Sequence, residues 1–321
     1  MFRVILCPMK NERGRSRRAF LTVSSSCLAY ATLARALPGA QARTRLILLG
    51  TAGGPTQKVK RSAPAQAIVI GDRCYLVDCG DGVARQMALA GLPIGNLAAV
   101  LITHQHSDHN AGYGPLFRLG WAANLTHPVN TYGPPPLVEM TARLLEAYRY
   151  DIELRMADEG RPALAPLIRP HEITAEGEVF RDDRVRVTAA LNEHPPIRHS
   201  FAYRFDAADR SIVISGDTRY SDNVVKLARG ADVLVHEVVS REFWERPGAP
   251  QPAKVIRHIL ASHTDAAEVG KVAAAAGVGT LVLSHFVPTE GPGAPTDEEW
   301  LAGVRRYFKG KVIVGRDLME I

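Results

Sequence analysis

Thr103-His104-Gln105-His106-Ser107-Asp108-His109 is the stretch that decides how the rest of the chain reads. Three histidines and a carboxylate crowd together directly after AAVLIT (98–103), an apolar run that reads as a buried strand. Imidazole and carboxylate are the donors that zinc and similar divalent ions prefer. His104 and His106, two apart in extended chain, put their rings on one side and suit one ion. Asp108 and His109 follow where the chain turns and suit a second. Two ions need further ligands, and other strand ends offer them. His194 follows RVRVTAALN, Asp217 follows SIVISG, and His285 follows TLVLS. Each alone reads as structural. Together with the first motif they complete a ligand set.

Outward from these residues, short β-rich runs alternate with helical ones. Strands are expected at 44–50, 66–70, 74–80, 98–103 and 129–133, then through RVRVTAALNEH, SFAYRF, RSIVISGD, DVLVHEV, TLVLSHF and KVIVG. The run 136–157 carries an apolar stripe and reads as one helix. TDAAEVGKVAAAAG reads as another, with Thr264 or Asp265 at its cap. This pattern suits a layered α/β architecture, with 43–321 as a single domain. Cys74 and Cys79 fall in one expected strand, facing opposite sides and poorly placed for a disulfide.

The 321-residue chain has a formal charge of +6, but the excess belongs to its beginning. Ser16-Arg17-Arg18-Ala19-Phe20-Leu21 precedes a weakly apolar stretch that ends in Ala40-Gln41-Ala42. That order matches an export signal of the twin-arginine kind, cleaved between Ala42 and Arg43, with Met1 or Met9 as the start. The expected location is periplasmic or secreted, with the twin-arginine export machinery as a partner. Residues 1–42 hold seven of the 39 bases and one of the 33 acids, so 43–321 is formally neutral. A protein that neutralises many phosphates usually carries a basic surface. No window is long and apolar enough to span a bilayer. Cys27 lacks the flanking residue that a lipid anchor wants, so no stable membrane anchor is expected.

The order HxHxDH, distant His, Gly-Asp-Thr and late His resembles the metallo-β-lactamase superfamily. The resemblance implies an αββα sandwich with a di-metal site at one edge. Carried over by motif, His104, His106 and His194 would hold the first ion. Asp108, His109 and His285 would hold the second, and Asp217 would bridge them. Zinc is the first expectation, with manganese or iron compatible with the same donors. LLGTAGGP (48–55), LVDCGDG (76–82), SGDTR (215–219) and SHTDAAEVG (262–270) resemble the ribonuclease Z and AtsA-type arylsulfatase branch. There His263 would protonate the leaving oxygen without binding metal. Asp108 would accept a proton from the attacking water. Asp78 and Asp81 would support the metal loop, and His236-Glu237 would position neighbouring groups. Dimers are common in this branch, which makes a homodimer an expectation.

The match to ribonuclease Z is incomplete. No basic Gly/Pro-rich arm of the kind that grips transfer RNA stands between Tyr132 and His194. Ser62 replaces an expected asparagine after Lys58 and Arg61. These departures, the neutral chain and the export signal argue against a nucleic-acid partner. They favour a hydrolase of small phosphodiesters or aryl sulfates. A ribonuclease Z-type processing endonuclease is the alternative, followed by a lactone hydrolase or a non-catalytic metal-binding protein. Loops 52–65, 111–125 and 240–262 are expected to shape the substrate pocket, with Trp121, Phe243 and Trp244 available to line it.

Overall fold

The computed structural model describes residues 43–321; the expected export segment, 1–42, lies outside the described residues. The chain runs through β1 (Thr44–Gly50), β2 (Ala65–Ile70), β3 (Arg73–Val77), α1 (Val83–Leu89), β4 (Leu97–Leu101), α2 (Ser107–Asn110), α3 (Tyr113–Ala122), β5 (Val129–Gly133), α4 (Leu137–Ala147), α5 (Arg149–Glu159) and β6 (Ile168–Glu172). It continues through β7 (Gly177–Arg181), β8 (Val185–Leu191), β9 (Phe201–Ala207), β10 (Ser211–Ile214), α6 (Asp222–Leu227), β11 (Val233–Val239), α7 (Arg241–Glu245), α8 (Ala253–Ser262), α9 (Ala266–Ala276), β12 (Thr280–Val287), α10 (Asp297–Val304), β13 (Lys311–Val314) and β14 (Met319–Glu320).

Two seven-stranded sheets result, ordered β14-β1-β2-β3-β4-β5-β6 and β13-β12-β11-β10-β9-β8-β7. Strand β1 shows why its sequence is apolar throughout. Leu46 and Leu48 share the core between the sheets with Tyr203, Phe205 and Ile212. Ile47 and Leu49 point the other way, into a core with Met87, Leu116 and Phe117 of α1 and α3. A strand covered on both faces has no polar side to show. The second sheet is covered likewise, with Leu234 and Leu281 sharing a core with Val224, Val272 and Trp300 from α6, α9 and α10. The layers are therefore helix, sheet, sheet, helix, the αββα sandwich expected. Helix α9 begins at Asp265, whose side chain accepts from the Ala267 N–H, and ends at Gly277 with φ 64°.

Three local expectations fail. The run 136–157 forms two helices that meet at Tyr148. Its apolar stripe packs Met140, Leu144 and Leu145 against the core, but α5 buries no residue. In α5 only Ile152, partly buried, packs against that core, so little apolar burial binds the second helix to the first. The second failure concerns Cys79. Strand β3 stops at Val77, because Asp78 takes φ 62°, so Cys79 turns into the same helix-side core as Cys74. Both are buried free thiols. Third, β6 and β7 went unread because they are polar edge strands, one in each sheet.

Strands β3 and β4 run parallel, as do β10, β11 and β12. The sheets are stitched together where β4 ends. Tyr203 Oη donates to the Ile102 carbonyl at 2.8 Å, and the Phe201 N–H to the Thr103 carbonyl at 3.0 Å. The expected ligands follow β4, β8 and β10, except His285, which lies within β12 at an irregularity in its pairing with β11.

Candidate metal centre

Beyond β4 the Thr103 N–H donates to Asp78 Oδ1 at 2.8 Å, which fixes the chain as it enters the histidine motif. The Thr103 hydroxyl also lies 3.0 Å from Asp78 Oδ2 and 3.0 Å from His104 Nδ1. A carboxylate can only accept, so the hydroxyl donates to Asp78 and accepts from His104 Nδ1. The lone pair of His104 is then on Nε2. His194 is oriented by a different device: its Nδ1 donates to the Ser262 main-chain carbonyl at 2.9 Å, leaving Nε2 bare. Both Nε2 atoms face His106 Nδ1, at 3.0 Å and 3.2 Å. Burial lowers the proton affinity of all three rings, His194 to about 4, which favours the neutral imidazole that binds metal.

The second group sits on α2, just past β10 and within β12. His109 Nδ1 donates to Asp78 Oδ2 at 2.8 Å, so Nε2 is the nitrogen left to face a metal. That atom lies 3.3 Å from His285 Nε2. Asp108 Oδ2 is 3.4 Å from the same His285 atom and accepts from the Gly54 N–H at 3.1 Å. Asp217 stands between the groups, its oxygens 3.3 Å from His109 Nε2, 3.1 Å from His285 Nε2 and 3.9 Å from His104 Nε2. Gly216 delivers it with φ 59°, and a Cβ there would lie 2.8 Å from the Phe201 carbonyl oxygen, so glycine is required. Burial opposes charge on His109 and His285, but Asp217 leads the neighbouring carboxylates in overcoming it. His109 is held well above the ordinary value and His285 rises to about 10.

These donors fit metal. His104, His106 and His194 offer one ligand atom each within 4.8 Å of one another, and so do Asp108, His109, Asp217 and His285. Lone pairs that face each other at these separations repel unless a cation stands among them. Asp217 Oδ1 is buried and makes no hydrogen bond among the described residues, as an oxygen reserved for an ion would be.

The remaining expected residues separate. Glu237 and His236 are adjacent in β11 and so face opposite ways. Glu237 Oε1 accepts from the N–H groups of Thr218 and Thr264, at 3.3 Å and 2.9 Å. Its Oε2 lies 3.3 Å from His263 Nδ1. Burial disfavours a charged His263, yet Glu237 outweighs it and raises its proton affinity. His236 instead turns its Nδ1 to the Glu237 carbonyl and touches neither the cluster nor His263. Asp81 is exposed just before α1, so Asp78 alone supports the metal loop. Thr103 and Ser262 were not anticipated as orienting groups. Thr103 had a signal, a hydroxyl directly before the histidine motif. Ser262 acts through its backbone, which no side-chain pattern reveals.

A cavity of about 490 Å³ opens beside His106, Asp108, Asp217, His263 and His285. Segments 52–65 and 240–262 line it as expected, through Gly53, Lys58, Phe243 and Trp244. Segment 111–125 does not. Trp121 is buried in the core under the first sheet, donating to the Pro162 carbonyl at 2.9 Å.

The β-lactamase superfamily domain model matches residues 73–286. The chain belongs to the metallo-β-lactamase superfamily. Within the superfamily its curated relatives support the ribonuclease Z-type branch. Ribonuclease Z of Mycobacterium bovis is 35% identical over 279 residues, 86% of this chain and 97% of the relative. Among solved structures, the metallo-β-lactamase fold protein YhfI from Bacillus subtilis has a TM-score of 0.65 at 20% identity, over 87% of this chain and 98% of that one. The short form of human tRNase Z has a TM-score of 0.63 at 23% identity, over 86% and 98%. Superfamily membership implies a di-metal site and a metal-dependent hydrolase. These relatives overturn the expectation that argued against a nucleic-acid partner: the curated ones are named Ribonuclease Z. Formal neutrality misled because it counts charges without placing them.

Proposed function

We propose that this chain is a ribonuclease Z-type endonuclease, a metal-dependent phosphodiesterase whose substrate class is precursor transfer RNA. The observation that carries the reading is a complete His/Asp set beside the His263–Glu237 pair, in a chain aligned over most of its length with ribonuclease Z relatives. In this reading His104, His106 and His194 would hold one ion and Asp108, His109 and His285 the other, with Asp217 available to both. Two divalent cations bound there, zinc first among those the donors suit, supply a water that ionises near neutral pH and offset charge on the phosphoryl oxygens.

The chain's own groups do the rest. Asp108, anchored by the Gly54 N–H, accepts the proton that the attacking water loses. The phosphorus gains that oxygen and releases the leaving oxygen. His263 lines the cavity, and Glu237 raises its proton affinity; in this reading it gives its proton to the leaving oxygen.

The test is incubation of metal-replete protein with a transfer-RNA precursor that carries a 3′ extension. Endonucleolytic removal of the extension, stopped by a chelator, is expected. Replete protein that cleaves no RNA overturns the reading. The roles of His263 and Glu237 have their own readout. His263→Ala should lose rate by about 10² to 10⁴ while keeping its metal. Loss of metal instead would make His263 a ligand, as its proximity to His194 and Asp217 permits. Glu237 raises the proton affinity of His263, so the acid form persists to higher pH. Glu237→Gln removes that support and should move the alkaline limb of kcat to lower pH.

The cavity favours a second reading, hydrolysis of small phosphodiesters, because its volume of about 490 Å³ is of small-molecule size. Export through the 1–42 segment accompanies that second reading. Fractionation that finds the chain intact in the cytoplasm would remove the export proposal.

A further inference from the structure

The cavity beside the metal centre has a lining that includes two unlike groups of residues. One consists of the His and Asp cluster with His263. The other is a wall made by Val255 and Ile259 of α8 above Trp244 and Val287. Helix α8 presents Val255, His258, Ile259 and Ser262 at spacings of three and four, so these four residues share one face. Three of them, Val255, His258 and Ile259, line the cavity. The helix is seated by Ile256, Ile259 and Leu260, which pack on the small core of Phe243, Trp244 and Val287. Val255 nevertheless keeps 39% of its surface exposed beside this space. Apolar surface left open next to a reaction centre gains by being covered with an apolar group of the substrate.

Size and placement identify that group. A cavity of roughly 150 Å³ holds a benzene ring, so about 490 Å³ takes a planar ring together with the ester that carries it. His263 directly follows α8, so the proton donor and the apolar wall belong to one continuous segment. A group that receives its proton from His263 therefore shares the cavity with Ile259, about one helical turn before the end of α8, and with Val255, about one turn further on. His258 is exposed on the same face, its ring 6.3 Å from the rings of both His106 and His194. It supplies a polar contact for the edge of a ring lying there.

The geometry points to α8 as a selectivity wall that takes a planar aromatic ring on the leaving side of the scissile ester. The inference rests on the phosphodiesterase reading and narrows it. In RNA the ring is the base of the nucleotide that bears the leaving oxygen, and in a small ester it is an aryl group. Filling or trimming the wall should then change the choice among leaving groups.

The experiment uses metal-loaded protein and two pairs of substrates. One pair consists of phosphodiesters whose leaving groups have matched acidity, one aryl and one branched fluoroalkyl. The other consists of short oligoribonucleotides with and without a base on the nucleotide bearing the leaving oxygen. The wild-type chain should favour the ring by about tenfold or more in kcat/KM, the scale of discrimination that an apolar pocket provides. Ile259→Trp, which fills the space, should bring that ratio close to one with metal content retained. Val255→Ala should lower it in the same direction by less, and stands in if the larger substitution does not fold. Preference in the oligonucleotide pair alone identifies a base as the ring, and preference in the ester pair alone identifies a small aryl group. No preference in either pair, or a ratio that neither variant changes, overturns the wall. Calorimetry with phenyl phosphate and methyl phosphate separates this from failure of the hydrolase reading. If no ester or RNA is turned over, tighter phenyl phosphate binding that Ile259→Trp abolishes sustains the wall alone, and equal binding of the two sinks it.

Discussion

His104, His106 and His194 meet as three imidazoles, whereas His109 and His285 meet with Asp108 beside them and Asp78 behind. The supports differ as the donors do. In the first group, orientation comes from the Thr103 hydroxyl and the Ser262 main-chain carbonyl. In the second, it comes from a buried carboxylate that holds His109 at 2.8 Å. The second group also uses backbone that L-residues rarely adopt, at Asp78 with φ 62° and His285 with φ 46°. Burial drives the first group toward neutral imidazole. In the second, burial is outweighed by carboxylates that raise His109 and His285. The first group is thus an uncharged pocket of lone pairs, and the second is a negative well. An ion in the second gains from charge as well as coordination, so graded chelation should empty the first before it.

Asp217 joins the two halves, and removing it should erase their difference. Asp217→Ala takes a carboxylate from beside His104, His109 and His285 at once. Both ions should be lost from the purified protein. Activity should fall on the order of a thousandfold or more, because the whole metal contribution goes with them. A variant that keeps two ions would show that Asp217 does not join the sites.

A smaller change should separate the halves. Asp78→Asn leaves every proposed ligand in place but weakens the acceptor behind His109. Replacing such an outer partner typically costs about 10- to 100-fold in metal affinity. The loss should fall on the second ion, so the order of release under graded chelation should reverse. Thr103 complicates this, since Asp78 also holds its N–H and hydroxyl. Equal weakening of both ions would mean that this shared hydrogen bond, rather than the charge, dominates.

The same contrast explains what the sequence made legible. The ligands were readable because a doubly buried strand is an apolar run, and a histidine or aspartate directly after one stands out. Residues 98–103, 211–216 and 280–284 all have this form. The αββα layers were readable for the same reason, β1 being apolar on both faces. Asp78 and Asp81 look alike in sequence, and only the structure shows Asp78 buried and bonded to Thr103 and His109 while Asp81 is exposed. The break at Tyr148 was hidden because α4 and α5 form one helical pattern, and only packing distinguishes them. Strands β6 and β7 lie at sheet edges, where alternation has no buried face to enforce it.

The first half of the centre should be the harder one to damage from behind. Its His194 is held by a main-chain carbonyl, and no side-chain substitution deletes that acceptor. Ser262→Ala removes only the hydroxyl, which donates to the Pro195 carbonyl at 2.6 Å and so ties α8 to the turn after His194. The main-chain bond to His194 Nδ1 survives. The expected result is a loosening of the first ion by only a few-fold, well below the outer-partner range of about 10- to 100-fold expected for Asp78→Asn. The second ion should be unaffected. Metal competition against a chelating dye, followed ion by ion, resolves a difference of that size. If Ser262→Ala instead strips the first ion as thoroughly as Asp78→Asn strips the second, the tie between α8 and the 194–196 turn is what positions His194, and the carbonyl is not sufficient by itself.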